Sequence, residues 1–319
     1  GQEAKKSVRE NGGGAMKENN VSKILTLLMC AALTVLMFPM TVSADTGPKP
    51  SVRISFENMG DELCYGTLLS ETAFTGPASV WDGKEEHIRN NDLDLEIWKA
   101  FVDYKDADGY YFLQWGWQVN ETKELAWTYY PPERFKILLY YPETETFVAS
   151  GIYEKYAFDT YYTVDMDGVN IGTEEYNGEL SGGESLVAHK SYDYTRELYS
   201  LIARIVITVL LEMSVALLFG FRGKKQLLFL FGVNVGTQVM LNVLLNVIHF
   251  RSGPWNFAAH YILLELVVFA LEAVLYCTLL ERMVPELKKS GFYVLYALVA
   301  NGVSFGVGFI VAQKLPGIF

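Results

Sequence analysis

Four long apolar stretches in the C-terminal part of the chain limit what it can fold into more than any other feature. They cover about residues 198–221, 226–250, 255–280 and 292–312, and each is long enough to span a hydrocarbon layer of ~30 Å as a helix. A helix satisfies its own backbone and leaves its side chains to lipid, so residues 198–319 are expected to form an all-α four-helix transmembrane bundle. Arg222, Lys224 and Lys225 crowd the first connection and Arg282, Lys288 and Lys289 the third, whereas the second carries only Arg251. The positive-inside rule places the first and third connections in the cytoplasm, and the segment before residue 198 and the C-terminus outside it.

The N-terminal region leads to the same orientation. Lys17 and Lys23, the apolar run 24–40 and the small residues Val42-Ser43-Ala44 make a secretory signal over 16–44, with Met16 as the natural start and Asp45 as the first mature residue. Residues 1–15 resemble neither a domain nor a signal, and Gly12-Gly13-Gly14 just before Met16 reads as upstream sequence translated in error. Cys30, Cys64 and Cys277 fall in three separate segments, so no disulfide framework is expected.

Charge divides the chain in the same place. Residues 45–194 carry 28 acidic and 11 basic side chains, net −17, against +6 for the remainder. That balance excludes nucleic acid and anionic headgroups as partners of the first half and leaves cations or basic surfaces. Its patterning is that of an extracytoplasmic, all-β antiparallel sandwich-like domain. Val52, Ile54 and Phe56 alternate with polar residues, as do Leu113, Trp115, Trp117 and Val119, then Phe135, Ile137, Leu139 and Tyr141, then Phe158, Tyr162 and Val164. Turn signals separate these runs at Asp82-Gly83, Asp108-Gly109, Pro131-Pro132 and Asp167-Gly168. The dense aromatic residues suit a sugar platform in type, yet their period-two spacing assigns them to a core. Asp45-Thr46-Gly47 matches an aspartic-protease triplet but has no second copy with which to share a proton, and is read as coincidence.

The stretch Asp106-Ala-Asp108-Gly109 resembles the hairpin of prealbumin-like and Cna-B-like sandwich modules, and a hairpin turn is expected there rather than a calcium loop. More broadly, Cys64-Tyr-Gly-Thr67, Gly220-Phe-Arg-Gly-Lys-Lys225, the Asn234, Thr237, Gln238, Asn242 run and the Glu265, Glu272 pair resemble an uncharacterised Gram-positive bacterial family of exported membrane proteins. The resemblance implies a signal peptide, a β-rich ectodomain and four transmembrane helices, and implies no catalytic residue or cofactor.

Glu212, Glu265 and Glu272 lie inside apolar stretches, where a charge costs roughly 2.5–3.5 kcal/mol even on the lenient insertion scale. Asn234, Gln238, Asn242 and Asn246 recur every fourth residue with Thr237 beside them, one polar stripe on the second helix. Rise per residue sets Glu212 and Asn234 roughly 18 Å from the outer boundary and Gln238 and Glu265 roughly 13 Å from it, with Glu272 deeper. An intramembrane polar site of Glu212, Asn234, Thr237, Gln238, Asn242, Glu265 and Glu272 follows. Its plain alternative is hydrogen-bonding glue between helices. His249 and His260, flanking the second connection, are candidates for pH sensing or surface metal binding against simple hydrogen bonding.

No zincin, nucleophile-elbow or Walker motif occurs, so the sequence offers little support for an enzyme. Three functions are ranked: an envelope protein that binds or senses a ligand or protein partner outside the cell; a small, oligomeric cation or proton-coupled pathway using Glu212, Glu265 and Asn234; and an intramembrane hydrolase with Glu212 and Glu265 as acid and base.

Overall fold

The computed structural model describes residues 47–89, 93–169, 171, 186–283 and 290–314. The upstream segment, the expected signal and residues 284–289 of the expected third connection, with Lys288 and Lys289, lie outside the described residues. The chain divides into two compact units, one within 46–193 and one within 194–319.

In the first unit the period-two run becomes β1 (Ser51–Glu57), with Val52, Ile54 and Phe56 buried. It is flanked by β6 (Glu124–Trp127) and β10 (Asp159–Asp165), and β11 (Ala188–Lys190) completes a four-stranded sheet. β6 pairs antiparallel, with Val52 opposite Trp127, but β10 runs parallel, with Val52 opposite Thr160. The expectation of a wholly antiparallel domain fails here. β1 and β10 are separated by about a hundred residues, and no tight hairpin dictates their relative direction.

The second sheet is centred on β2 (Tyr65–Ser70) and β7 (Arg134–Tyr141). The short β5 (Trp117–Gln118) lies outside β2, while β8 (Thr146–Ala149) and β9 (Tyr153–Glu154) pair with β7. Phe135, Ile137, Leu139 and Tyr141 of β7 share one core with Val52, Ile54, Leu125, Trp127, Tyr162 and Val164 of the first sheet. Leu113, Trp115, Trp117 and Val119 reach that core as expected, although only two residues of their run form a strand. A two-residue hairpin, β3 (Phe74–Thr75) and β4 (Ala78–Ser79), turns at Gly76, whose φ is 49° and where a Cβ would meet the Tyr130 Cβ at 2.7 Å.

The unit is not all-β. Helix α1 (Leu95–Asp103) places Ile97, Trp98 and Phe101 against Leu69, Leu138 and Tyr140, on the side of the second sheet facing away from the first. β7 is therefore buried on both faces, and its run reads as nearly continuous apolar residues. The Asp106-Ala-Asp108-Gly109 turn follows α1 and leads to an isolated bridge between Tyr111 and Ser70 rather than closing a hairpin. Asp106 Oδ2 accepts the amides of Asp108 and Tyr110 at 3.0 and 3.2 Å, with Gly109 at φ 75°. Its Oδ1 receives Lys136 Nζ at 2.9 Å, which ties the turn to β7.

In the second unit three helical elements are long and apolar enough to cross a membrane: Glu197–Leu218, Lys224–Met283 and Ser290–Gly308. The corresponding helices are α2 (Thr195–Leu218), α3 (Lys224–Leu275) and α4 (Ser290–Lys314). The second and third expected helices are thus one element, and the open loop expected at 251–255 is absent. Gly253, at φ 80° and ψ −179°, interrupts the helical geometry in a region open essentially to glycine alone. Pro254 then begins the second arm, where a missing amide proton leaves no bond unmade. The arms fold back on each other: Thr237 bonds Glu272 and Tyr276 bonds Asn234. A straight helix would hold these pairs roughly 50 Å apart or more.

Candidate functional site

The helical unit exposes apolar side chains and buries a set of polar ones between two apolar clusters, one around Leu230, Tyr276 and Tyr296 and one around Leu241, Leu245 and Leu264. On α2, Arg204, Thr208 and Glu212 are four residues apart and buried, while Ile202, Val206 and Leu210, on the opposite side, are 49%, 50% and 63% exposed. On α3, Asn234, Thr237, Gln238 and Asn242 are buried, while Phe231, Val239, Val243 and Val247 face outward. On α4, Ala297, Ala300, Asn301 and Ser304 form the buried stripe, and such small residues let helices approach closely.

Three helices meet at two carboxyl groups. Glu272, fully buried on the second arm of α3, accepts Thr237 Oγ1 at 2.7 Å on Oε1 and Asn301 Nδ2 at 2.7 Å on Oε2. Glu212, fully buried on α2, pairs with Ser304 Oγ through Oε1 at 3.0 Å, and its Oε2 has no hydrogen-bond partner. Asn301 and Ser304 are three residues apart and so lie side by side on α4, about 5–6 Å between Cβ atoms. They bracket both carboxyl groups from one helix face. Tyr276 donates to Asn234 Oδ1 at 2.6 Å, while Asn234 Nδ2 and Asn301 Oδ1 are buried without partners.

The structure therefore brings Glu212, Asn234, Thr237 and Glu272 into one cluster. Gln238 and Asn242 bond chiefly each other, Asn242 Nδ2 reaching Gln238 O at 2.9 Å and Gln238 Oε1 at 3.3 Å. Glu265 is placed two turns nearer Gly253 than Glu272, beside Tyr261, with which it shares a side-chain hydrogen bond. Glu272, expected deeper than the Asn234 and Gln238 levels, stands beside Thr237, to which it is hydrogen-bonded. With the sharp break at Gly253 in place of a five-residue loop, both arms are counted from a common apex, and Thr237 and Glu272 lie 16 and 19 residues from it.

Tyr276, Asn301 and Ser304 belong to the cluster and were not singled out in the sequence. The spacing of Ala297, Ala300, Asn301 and Ser304 on one helix face is the signal that points to them. Arg204 is also buried; it donates to Asn246 Oδ1 at 2.8 Å and lies 5.8 Å from the Phe257 ring, so its bonding partner is an amide of the polar stripe. The two histidines are engaged apart from each other. His249 Nδ1 lies 3.9 Å from Glu197 Oε1, and His260 Nδ1 lies 2.8 Å from the Asn256 carbonyl. Among the described residues no group of three His, Cys, Asp or Glu side chains is arranged to hold a metal ion.

The chemistry open to such a cluster is that of protons and small cations. Two desolvated carboxylates without a paired cation are costly, and the cost falls if one of them is protonated. Comparison with family models, curated proteins and solved structures gives no match for this chain.

Proposed function

We propose that this chain is a cell-envelope membrane protein, with residues 45–194 forming an extracytoplasmic sandwich-like module that binds or senses a ligand and residues 198–319 crossing the bilayer four times. The observation that carries the membrane reading is the inverted polarity of the helical unit: half-exposed Ile202, Val206 and Leu210 outside, fully buried Glu212, Asn234 and Glu272 inside. Four crossings are the count when each arm of α3 is taken as one, since α3 would measure about 78 Å if straight, more than twice a hydrocarbon core. The Gram-positive family resemblance and the basic first and third connections favour the same orientation.

A binding or sensing role for the first module rests on its own closed core and its acidic balance. Single cysteines labelled in whole cells with a membrane-impermeant maleimide test the topology. Glu85→Cys and Arg251→Cys are expected to react at once, and Lys225→Cys only after permeabilisation; the reverse pattern overturns the orientation. Binding is tested by presenting the immobilised 46–193 module to purified cell-wall polymers and to cations. Saturable retention supports a ligand-binding module, and none across both classes counts against it.

A second reading, a proton or cation pathway, is favoured by the partnerless buried acceptors Glu212 Oε2 and Asn301 Oδ1. Flux in proteoliposomes, lost in Glu272→Gln with folding intact, would support it.

A further inference from the structure

We propose that Tyr129 and Tyr130 of the β-rich unit form a binding corner for an organic ammonium group, and that Lys49 of the same chain occupies it in this structure. The proposal rests on the reading of this unit as a ligand-binding module and adds to it a place and a chemical class of ligand.

Most aromatic side chains of this unit pack into one of its two cores. Tyr129 and Tyr130 follow the end of β6, where strand alternation no longer turns every second ring inward. Tyr130 stays 40% exposed and Tyr129 is partly buried. Their ring centroids lie 5.0 Å apart with the planes at 87°, two walls of a right-angled corner. Lys49 Nζ lies over both rings, 5.4 Å from the Tyr130 centroid and 5.9 Å from that of Tyr129. Both distances fall inside the ~6 Å over which the negative face of a ring attracts a cation. Strand register brings the ammonium there: β1 and β6 pair with Val52 opposite Trp127, and the same antiparallel register carried on past the strands sets Lys49 opposite Tyr130.

The corner is held open by the fold at a conformational cost. Tyr130 has φ 50°, a left-handed value that bulky side chains rarely adopt. Thr75 Oγ1 donates to the Tyr130 carbonyl at 3.0 Å, and Trp127 Nε1, from a fully buried ring, donates to the Tyr129 carbonyl at 3.0 Å. The close approach of Gly76 to the Tyr130 Cβ leaves no room for a side chain on the hairpin beside it. Both rings are therefore set in place before any ligand arrives, which lowers the cost of binding one.

Two observations choose an ammonium over a neutral or anionic ligand. The group seated on the rings in this structure is itself an ammonium. The unit around it, over residues 45–194, carries a net charge of −17, which draws cations and repels anions. Lys49 lies just ahead of β1, between Pro48 and Pro50, and is tethered beside the corner, so an incoming ammonium competes with a group held at high effective concentration. Binding exchanges one cation for another over the same two faces while Lys49 turns to water. The same chemistry is offered by a quaternary ammonium and by a primary ammonium on an alkyl chain. A lysine stem packed on the rings for stability alone would make a different prediction, since its removal would create no binding.

The test uses the full chain in a maltoside detergent, which carries no ammonium group, and saturation-transfer NMR of three probes: choline, n-butylammonium and 3,3-dimethylbutanol, the uncharged isostere of choline. The parent is expected to bind an ammonium probe weakly and Lys49→Ala to bind it about fivefold more tightly, the factor that one competing cation–ring contact supplies. Lys49→Gln, which keeps the length of the side chain and loses its charge, should show the same gain and serves if the alanine variant does not fold. Tyr130→Phe keeps the ring face and should keep binding. Lys49→Ala combined with Tyr130→Ala, or with Tyr129→Ala, should weaken it roughly tenfold or more relative to Lys49→Ala alone. Tighter binding of choline than of n-butylammonium assigns the corner to quaternary ammonium groups, and the reverse order to primary ones; either supports the proposal. Equal binding of 3,3-dimethylbutanol, no gain in folded Lys49→Ala or Lys49→Gln, or undiminished binding in the combined variants would each overturn it. Cell-wall polymer retained equally by the parent and by the folded combined variants would overturn the corner and leave the ligand-binding reading intact. No retention of any polymer or cation by the parent, with the gain in Lys49→Ala still seen, would count against that reading instead, so the two failures are distinguishable.

Discussion

The two units bury ionisable groups in opposite ways. In the β-rich unit Lys136 is nearly enclosed but ion-paired, with Asp106 at 2.9 Å and Asp108 also in contact, and Asp108 keeps about half its side chain in water. In the helical unit Glu212 and Glu272 are more deeply buried, and among the described residues their hydrogen-bond partners are neutral hydroxyls, a phenol and an amide. Opposite charges in contact need no titration to stay neutral together. Carboxyl groups among neutral donors reach neutrality only by taking up a proton or cation, and so remain responsive to their surroundings. The difference separates a charge used to anchor a turn from charges available for a function.

The largest expected effect breaks the first arrangement. Lys136→Met leaves Asp106, whose side chain is 2% exposed, without its cation, and removing one partner of a buried pair typically costs about 3–5 kcal/mol. Urea unfolding followed by tryptophan fluorescence reads this directly, because five of the six tryptophans lie in the β-rich unit. The pair also sets a pH signature. Burial by itself lowers the Lys136 ammonium, but hydrogen bonds and charge from Asp108 and Asp106 outweigh it and leave the group above its ordinary value. A raised folded-state value means stability that is complete below the ordinary lysine range, near ~10.4, and is lost as pH rises through the folded-state value. The parent unit should weaken there, and Lys136→Met should lack that step.

Next in size is the break in α3. Gly253→Ala places a Cβ at φ 80° and ψ −179°, a region that costs about 1–3 kcal/mol for other residues. The variant is expected to lower the thermal stability of the purified chain in detergent. Glu272 should lose contact with Thr237 if the arms splay, which cross-linking of Thr237→Cys to Glu272→Cys would detect as a reduced yield relative to the same pair with Gly253 retained.

How much of this was legible follows from the range over which each signal acts. β1 and β7 could be read because alternation is local, and Ile137 and Leu139 needed no knowledge of their partners. α1 was missed although Ile97, Trp98 and Phe101 have helical spacing; nine residues are a short window beside long strand-like runs. The parallel pairing of β1 with β10 leaves no mark on either strand, since direction is set by the path of the chain between them. In the helical unit the Asn234-to-Asn242 stripe was legible as a face, whereas its partners depended on register between arms. Asn301 and Ser304 stand among glycine and alanine, where either reads as an ordinary small interface residue, and only the fold shows them bracketing two glutamates.

The smallest effects sharpen the comparison most. Glu272→Gln keeps the shape of the side chain, and Thr237 can accept from the new amide while donating to the Val233 carbonyl. The cost to stability is expected to stay within about 1 kcal/mol, the scale of one neutral hydrogen bond, far below that of Lys136→Met. A loss as large as that at Lys136 would show that Glu272 is held ionised against a cation, and the contrast between the units would collapse. Cys64 provides the matching control in the other unit. Burial, partly offset by hydrogen bonding to Tyr141, pushes its thiol up to about 12. It should therefore resist thiol reagents at pH values where a free cysteine, near ~8.5, reacts readily, and become reactive only on unfolding. Reaction in the folded chain would mean that the core shared by the two sheets opens locally, and that the β-rich unit is the more yielding of the two.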